Sequence, residues 1–275
     1  MNQNVMPEPR FTTAILRPPS PNFAEGLTTA ELGKPDYRRA LQQHAAYCEA
    51  LEQCGLTLIR LPADRQYPDA CFVEDVAVMV RSRVGSQTAT HAVLTRPGAF
   101  SREGEVQGIR QTIDDLIPGE LVHQIEPPAT IDGGDVCEAG NNFFIGISER
   151  TNETGATQLA ALVSGLGYAS SSIDVRGLDG LLHLKSGLAY LGDSRLVITD
   201  PLAGRDEFTA YQQILVEAEE SYAANCIRVN DWMLIAAGFP KLEARLRALG
   251  YQTIAVEMSE FQKMDGGLSC LSLRF

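Results

Sequence analysis

Cys270 stands three residues past the glycine pair Gly266-Gly267 and opens a short apolar alternation, Cys270-Leu271-Ser272-Leu273. Glycine admits backbone angles that other residues resist. A side chain just after such a turn can therefore be presented at the end of a strand. A cysteine presented there is a nucleophile once it is a thiolate. The commoner fate of a free cysteine is that of a small buried hydrophobe. A nucleophile also needs a base, an orienting carboxylate and a substrate anchor. Of the four histidines, His183 is the best candidate base. In a strand its side chain leaves on the face opposite to Leu182 and Leu184. A core histidine bonded to backbone is the other reading. His44 lies on a helical stripe and reads as packing, and His91 and His123 have no comparable setting.

The acids add to this. Glu74 and Asp75 follow the apolar pair Phe72-Val73, and Asp132 and Asp135 flank Gly133-Gly134. Carboxylates in apolar settings are costly unless paired or used. Gathered near one axis they would make a negative pocket suited to a guanidinium or ammonium group. Asp before Gly is also a common turn signal, so Asp135 stays open between turn and function. Arg102 and Arg150 each precede a polar stretch that opens a helix. Either guanidinium fork fits a carboxylate, although a solvated surface arginine is the usual case.

What could position these residues is a repeat. A strand over 13–16 leads through a Pro-rich loop, 18–34, to a helix between Pro35 and Gly55. Its stripe is Tyr37, Leu41, His44, Cys48 and Leu51. A strand over 56–61 closes this unit. The second unit has strands over 76–80 and 92–95, a helix with Val106, Ile109, Ile113 and Leu116 on one face, and a strand over 122–125. The third has strands over 136–138 and 143–147, a helix capped by Asn152, and a strand over 172–175. The fourth has strands over 188–191 and 196–199 and a weak helix between Pro201 and Gln213. The fifth has strands over 226–229 and 233–236, a helix from Pro240 to Gly250, and a strand over 253–256. Strand, strand, helix, strand recurs about five times, with the first unit short. Modules that each leave an apolar face open must close on their neighbours. The expected fold is α/β, a fivefold pseudo-symmetric β/α propeller spanning 1–275 as one domain. Such a ring would bring the motifs at the module starts into one central cavity.

Composition bounds the function. The chain has 275 residues, 44% hydrophobic and 21% charged, with net charge -12. The acidic balance argues against nucleic acid or an anionic membrane as partner. No apolar run is long enough to span a bilayer, and the first residues do not read as a secretory signal. Six scattered cysteines form no Cys-x-x-Cys pair, so the expectation is a reduced, cytoplasmic protein without a metal site.

The ordered set Pro68-Asp69, Phe72-Val73-Glu74-Asp75, Thr95-Arg96-Pro97-Gly98-Ala99, Ser101-Arg102, Asp132-Gly133-Gly134-Asp135, Arg150-Thr151-Asn152, Leu182-His183-Leu184-Lys185-Ser186-Gly187, Ala223-Ala224-Asn225-Cys226 and Asp265-Gly266-Gly267-Leu268-Ser269-Cys270 resembles the dimethylarginine dimethylaminohydrolases. Gly26-Leu27-Thr28 and Leu32-Gly33-Lys34-Pro35-Asp36-Tyr37 resemble the bacterial members in particular. Each motif alone is weak, but the set covers nearly the whole chain in order. These are guanidine-modifying enzymes with a fivefold β/α propeller. The resemblance implies that Cys270 is the nucleophile, His183 the general acid/base and Asp132 its orienting carboxylate. Asp75, with Glu74, would bind guanidinium nitrogens. Arg102 and Arg150 would hold the substrate carboxylate. Asp69, the carbonyls of Leu27 and Met264, and Asp265 would receive the amino end. The loop over 18–32 would be a lid. Phe72, two residues before Glu74, is a candidate apolar wall for methyl groups or equally a core strand residue. The implied partner is a small methylated arginine, with no cofactor, and a homodimer is the candidate assembly.

Three rivals have distinct signatures. An arginine or agmatine deiminase would release ammonia, and agmatine has no carboxylate for Arg102 and Arg150. A metal-dependent hydrolase with Cys270, His183 and Asp132 as ligands would lose activity to a chelator. A binding module would hold arginine without turnover.

Overall fold

The structure is a computed structural model that describes residues 10–83 and 88–275. The stretch over 1–7, read for a secretory signal, lies outside the described residues. Five three-stranded sheets are present. In four of them an antiparallel hairpin is followed by a third strand parallel to the second. The second module has Ala77–Arg81, Thr90–Leu94 and Val122–Gln124. The third has Val136–Ala139, Asn142–Ile147 and Ala169–Asp174. The fourth has Leu188–Gly192, Arg195–Ile198 and Gln212–Leu215. The fifth has Ile227–Val229, Trp232–Ala236 and Gln252–Val256. Parallel strands need a crossover, and the helices Gln107–Leu116, Glu153–Gly165 and Pro240–Ala248 supply it in three of these modules.

The first module only looks short in sequence. Its strands Thr13–Leu16 and Thr57–Arg60 are joined by the helix Tyr37–Gln53, and its third strand is the chain end, Leu273–Arg274. The two ends of the described chain thus share one sheet. Closure also shows in the packing, because five apolar cores each draw on two neighbouring modules. One of them joins the first module to the fifth, with Leu16 and Tyr47 against Leu234 and Val256.

The ring closes a second time at its axis. Each module is entered through a short 3-10 turn: Val73–Val76, Gly133–Asp135, Leu184–Ser186, Ala218–Ala224 and Ser269–Leu271. Hydrogen bonds run from turn to turn. Gly134 N donates to Asp75 Oδ1 at 2.9 Å and Leu184 N to Asp135 Oδ1 at 2.9 Å. Asn225 Nδ2 donates to Lys185 O at 2.9 Å and Ser269 N to Asn225 Oδ1 at 2.9 Å. Ser269 Oγ donates to Glu74 Oε2 at 2.6 Å, which returns to the starting turn. Buried polar groups are tolerated when each finds a partner.

Two expectations are corrected. No α-helix forms between Pro201 and Gln213, where only the turn Asp206–Phe208 is helical. Pro201 lacks an amide donor and Gly204 takes a left-handed φ of 74°, so the segment cannot propagate helix. The long helix buries Ala40, Gln43, His44, Tyr47, Cys48 and Leu51, a face that leaves Tyr37 and Leu41 half-buried. Tyr47 is its largest buried side chain, and its hydroxyl meets Ser272 Oγ at 2.6 Å.

Candidate active site

The axial turns send neighbouring side chains to opposite ends of the ring. Asp75, His183 and Cys270 line a pocket at one end, while Glu74, Lys185 and Ser269 line a cavity at the other. The first pocket also takes in Asp69, Arg102 and Arg150, with Leu27, Met264 and Asp265 on the loop side. Cys270 is half-buried, whereas the other five cysteines are buried. Exposure to the pocket separates it from a purely structural thiol.

Asp132 stands behind His183. Its Oδ2 lies 3.1 Å from His183 Nε2, and its Oδ1 accepts from Gly98 N at 2.9 Å. Both groups are buried, Asp132 at 0% exposure. A Cβ on Gly98 would come within 2.1 Å of Arg150 O, so only glycine lets this amide reach the carboxylate. Asp135 has a different task. Its Oδ2 accepts from Ser148 Oγ and Thr151 Oγ1, each at 2.6 Å, and its Oδ1 accepts from Leu184 N. It holds the backbone beside His183 and does not line the pocket.

Arg102 is buried at 4% exposure and heavily engaged. Nη1 donates to Asp75 Oδ2 at 2.6 Å, and Nε and Nη2 donate to Glu105 at 2.8–3.1 Å. A guanidinium has five N–H donors, so a second Nη1–H remains for a ligand. Arg102 is a fixed donor and Arg150 the more open one. Glu105 was missed from sequence, although its i+3 spacing from Arg102 is a signal that could have found it.

Glu74 departs from expectation. It is paired with Lys185 Nζ at 2.6 Å and Ser269 Oγ at 2.6 Å, at the other end of the ring. It does not line the pocket that would take the guanidinium, because successive side chains of its turn diverge. Phe72 does line the pocket, packed edge-on to Phe261.

The loop expected as a lid lies over this pocket. Leu27 N donates to both oxygens of Asp69 at 3.1 Å, Thr28 Oγ1 to Lys263 O at 2.9 Å, and Thr29 Oγ1 to Asp265 Oδ2 at 3.0 Å. The space beneath is about 30 Å³, room for a water or two.

The electrostatics divide the charges sharply. Burial alone would lower His183, but Asp135, Asp75 and Asp132 outweigh it and raise its pKa to about 9. Burial would raise Asp75, but Arg102 and His183 draw it down to about 2. Burial, Glu74 and Asp75 push the Cys270 thiol up to about 12, against the Gly267 amide and Lys185. At neutral pH the pocket therefore holds an imidazolium, a carboxylate and a neutral thiol.

No family model matches the chain. Among curated proteins, the N(G),N(G)-dimethylarginine dimethylaminohydrolase of Pseudomonas aeruginosa is 43% identical over 265 residues, 96% of this chain and 100% of that one. The chain belongs to the dimethylarginine dimethylaminohydrolase family. Solved structures agree. A cysteine-to-serine mutant of the Pseudomonas aeruginosa enzyme, complexed with citrulline, superposes with a TM-score of 0.89 at 42% identity, covering 97% of this chain and 100% of that one. A histidine-to-glycine dimethylarginine dimethylaminohydrolase, as an adduct with S-methyl-L-thiocitrulline, gives 0.88 at 42% identity, covering 96% and 100%. Among the described residues, no helix is long and apolar enough to cross a membrane.

Proposed function

We propose that this chain hydrolyses N-omega-methylated L-arginines to L-citrulline and the methylamine, with Cys270 as nucleophile. One observation carries the reading. A single pocket holds an accessible cysteine, an imidazolium backed by Asp132, a carboxylate in Asp75 and an open guanidinium in Arg150. Asp75 would hold the unmethylated guanidinium nitrogens and fix the plane for attack. Asp132 would orient His183. Arg150, with the remaining donor of Arg102, would bind the α-carboxylate. Asp69, Asp265 and the carbonyls of Leu27 and Met264 would surround the α-amino group.

The charges set the order of steps. An arriving guanidinium brings positive charge beside Cys270, which lowers its pKa and releases its proton to solvent. The thiolate attacks the guanidinium carbon and gives a tetrahedral adduct. His183, protonated at neutral pH, donates its proton to the departing dimethylamine. A covalent S-alkylthiouronium on Cys270 remains. His183, now neutral, takes a proton from water as that water attacks the same carbon. Collapse expels the thiolate, the remaining hydroxyl proton passes to solvent as citrulline forms, and His183 is again an imidazolium.

Arg150→Ala should weaken citrulline binding about 10- to 100-fold, the worth of hydrogen bonds to a charged group. Its effect should fall mainly on KM, since the contact persists from ground to transition state. Equilibrium titration with citrulline reads this directly, and unchanged affinity would misplace the carboxylate anchor.

The rival metal reading has a partial footing. Asp75, Asp132 and His183 present ligand atoms within 4.8 Å of one another, but Cys270 is outside that group. Asp75 and Asp132 are already bound to Arg102 and Gly98. Release of citrulline from asymmetric dimethylarginine should therefore survive dialysis against EDTA. Activity lost to EDTA and restored by zinc would favour a metal-dependent hydrolase.

The same reading takes 1–275 as one domain, supported by the sheet that the two chain ends share. It places the protein in a reducing cytoplasm, where a thiol nucleophile at Cys270 would stay reduced. A homodimer remains a proposal that sedimentation would test.

A further inference from the structure

Cys270 receives a hydrogen bond from a peptide group that is itself held from behind. The amide of Gly267 donates to Cys270 Sγ at 3.4 Å. The carbonyl of the same peptide, Gly266 O, accepts from the Tyr222 hydroxyl at 2.8 Å. In a trans peptide the C=O and N–H point to opposite sides. Tyr222 therefore stands behind the peptide and the thiol in front of it. Tyr222 comes from the axial turn Ala218–Ala224 and does not line the pocket. Its ring packs on Phe239, with centroids 5.7 Å apart. Burial first, then the nearby Cys270, pushes its pKa upward, so the hydroxyl keeps its proton and donates it to the carbonyl.

The peptide between them has little room to turn. Neither Gly266 nor Gly267 takes a left-handed φ, and close approach accounts for both glycines instead. A Cβ on Gly266 would come within 2.2 Å of the Phe72 ring, and one on Gly267 within 2.4 Å of Asn225 Oδ1. Asn225 is in turn held by Lys185 O and Ser269 N. A peptide is a resonance system. A hydrogen bond to its oxygen draws charge from its nitrogen and strengthens the N–H as a donor. That N–H lowers the Cys270 pKa, against burial, Glu74 and Asp75, which raise it. We infer that Tyr222 is a positioning residue for Cys270 and stabilises its thiolate through the Gly266–Gly267 peptide. The inference rests on the reading of Cys270 as nucleophile, and it adds a residue that acts from outside the pocket.

Alkylation of Cys270 by iodoacetamide, read by peptide mass spectrometry, tests this without turnover. The outcome is thus independent of whether the chain makes citrulline. At alkaline pH below the thiol's pKa of about 12, the rate is proportional to the thiolate fraction. In Tyr222→Phe it should fall about 3- to 10-fold, part of the worth of a hydrogen bond to a charged group. Tyr211→Phe loses a hydroxyl bonded to Ala139 O in another module and should react at the wild-type rate. Neither tyrosine lines the pocket, so access of the reagent is unchanged. Replacing Tyr222 with 3-fluorotyrosine gives a stronger phenol donor and should raise the rate. The fluorinated side chain is nearly isosteric, so it decides the matter where Tyr222→Phe does not fold. A folded Tyr222→Phe that alkylates at the wild-type rate, an equal loss in Tyr211→Phe, or a fluorotyrosine protein with an unchanged or lower rate overturns the inference.

Discussion

Replacing Cys270 with serine is expected to lower citrulline formation on the order of 10⁴-fold or more, the scale of losing a covalent nucleophile. A serine hydroxyl at this position has no neighbouring base placed to remove its proton before attack. The fold should survive, because the side chains are close in size and the Gly267 amide can still meet an oxygen. Citrulline binding should survive too, since Asp75 and Arg150 are untouched. Mass spectrometry of quenched wild-type reactions should show the covalent intermediate on Cys270. An adduct on Cys71 or Cys226 would move the nucleophile, although both thiols are buried and their pKa values are pushed upward by burial.

The second large effect is expected at His183. Removing a general acid/base costs about 10²- to 10⁴-fold, and here one imidazole serves both chemical steps. His183→Ala should therefore slow formation and breakdown of the thiouronium with methylated arginines. A substrate whose leaving group needs no proton separates the steps. S-methyl-L-thiocitrulline should still form an adduct on Cys270 in this variant, and the adduct should persist. Rapid hydrolysis of that adduct would show that another group activates water. The sign of the pH effect follows from the raised pKa near 9. The imidazolium, and the proton it donates, is present below that value and lost as pH rises through it. Asp132→Asn removes one of the charges that raise it, so the alkaline limb of kcat/KM should move to lower pH. A limb that stays in place would assign it to another group.

Much of this site was legible in the sequence because the fold repeats locally. The hairpins of the third, fourth and fifth modules announce themselves through strand alternation and a turn residue that tolerates a left-handed φ, Gly140 at 66°, Asp193 at 51° and Asn230 at 57°. The cap at Asn152 was equally plain, and its side chain accepts from Gly155 N at 2.8 Å. What stayed hidden depends on distant parts of the chain. Nothing near Thr13–Leu16 shows that Leu273–Arg274 will pair with it. The strand Gln212–Leu215 went unread because only Ile214 of its residues is buried. Glu74 and Asp75 are adjacent carboxylates of one type, and a single step along a 3-10 turn sends them to opposite ends of the axis. The engagement of Arg102 by Asp75 and Glu105 likewise appears only once the turns are assembled.

Selectivity follows from the same geometry. Asp75 accepts hydrogen bonds on one side of the pocket, while Phe72 and Leu182 offer apolar surface. Asymmetric dimethylarginine carries both methyls on one nitrogen and leaves the other N–H groups for Asp75. Symmetric dimethylarginine carries a methyl on each terminal nitrogen and should be hydrolysed poorly. Arginine itself places a bare NH₂ where the methyl groups would be buried. The most direct measurement is a competition between arginine and asymmetric dimethylarginine at equal concentrations, with ammonia and dimethylamine separated and quantified. Dimethylamine in clear excess is the expected result, and ammonia in excess would make this chain a deiminase.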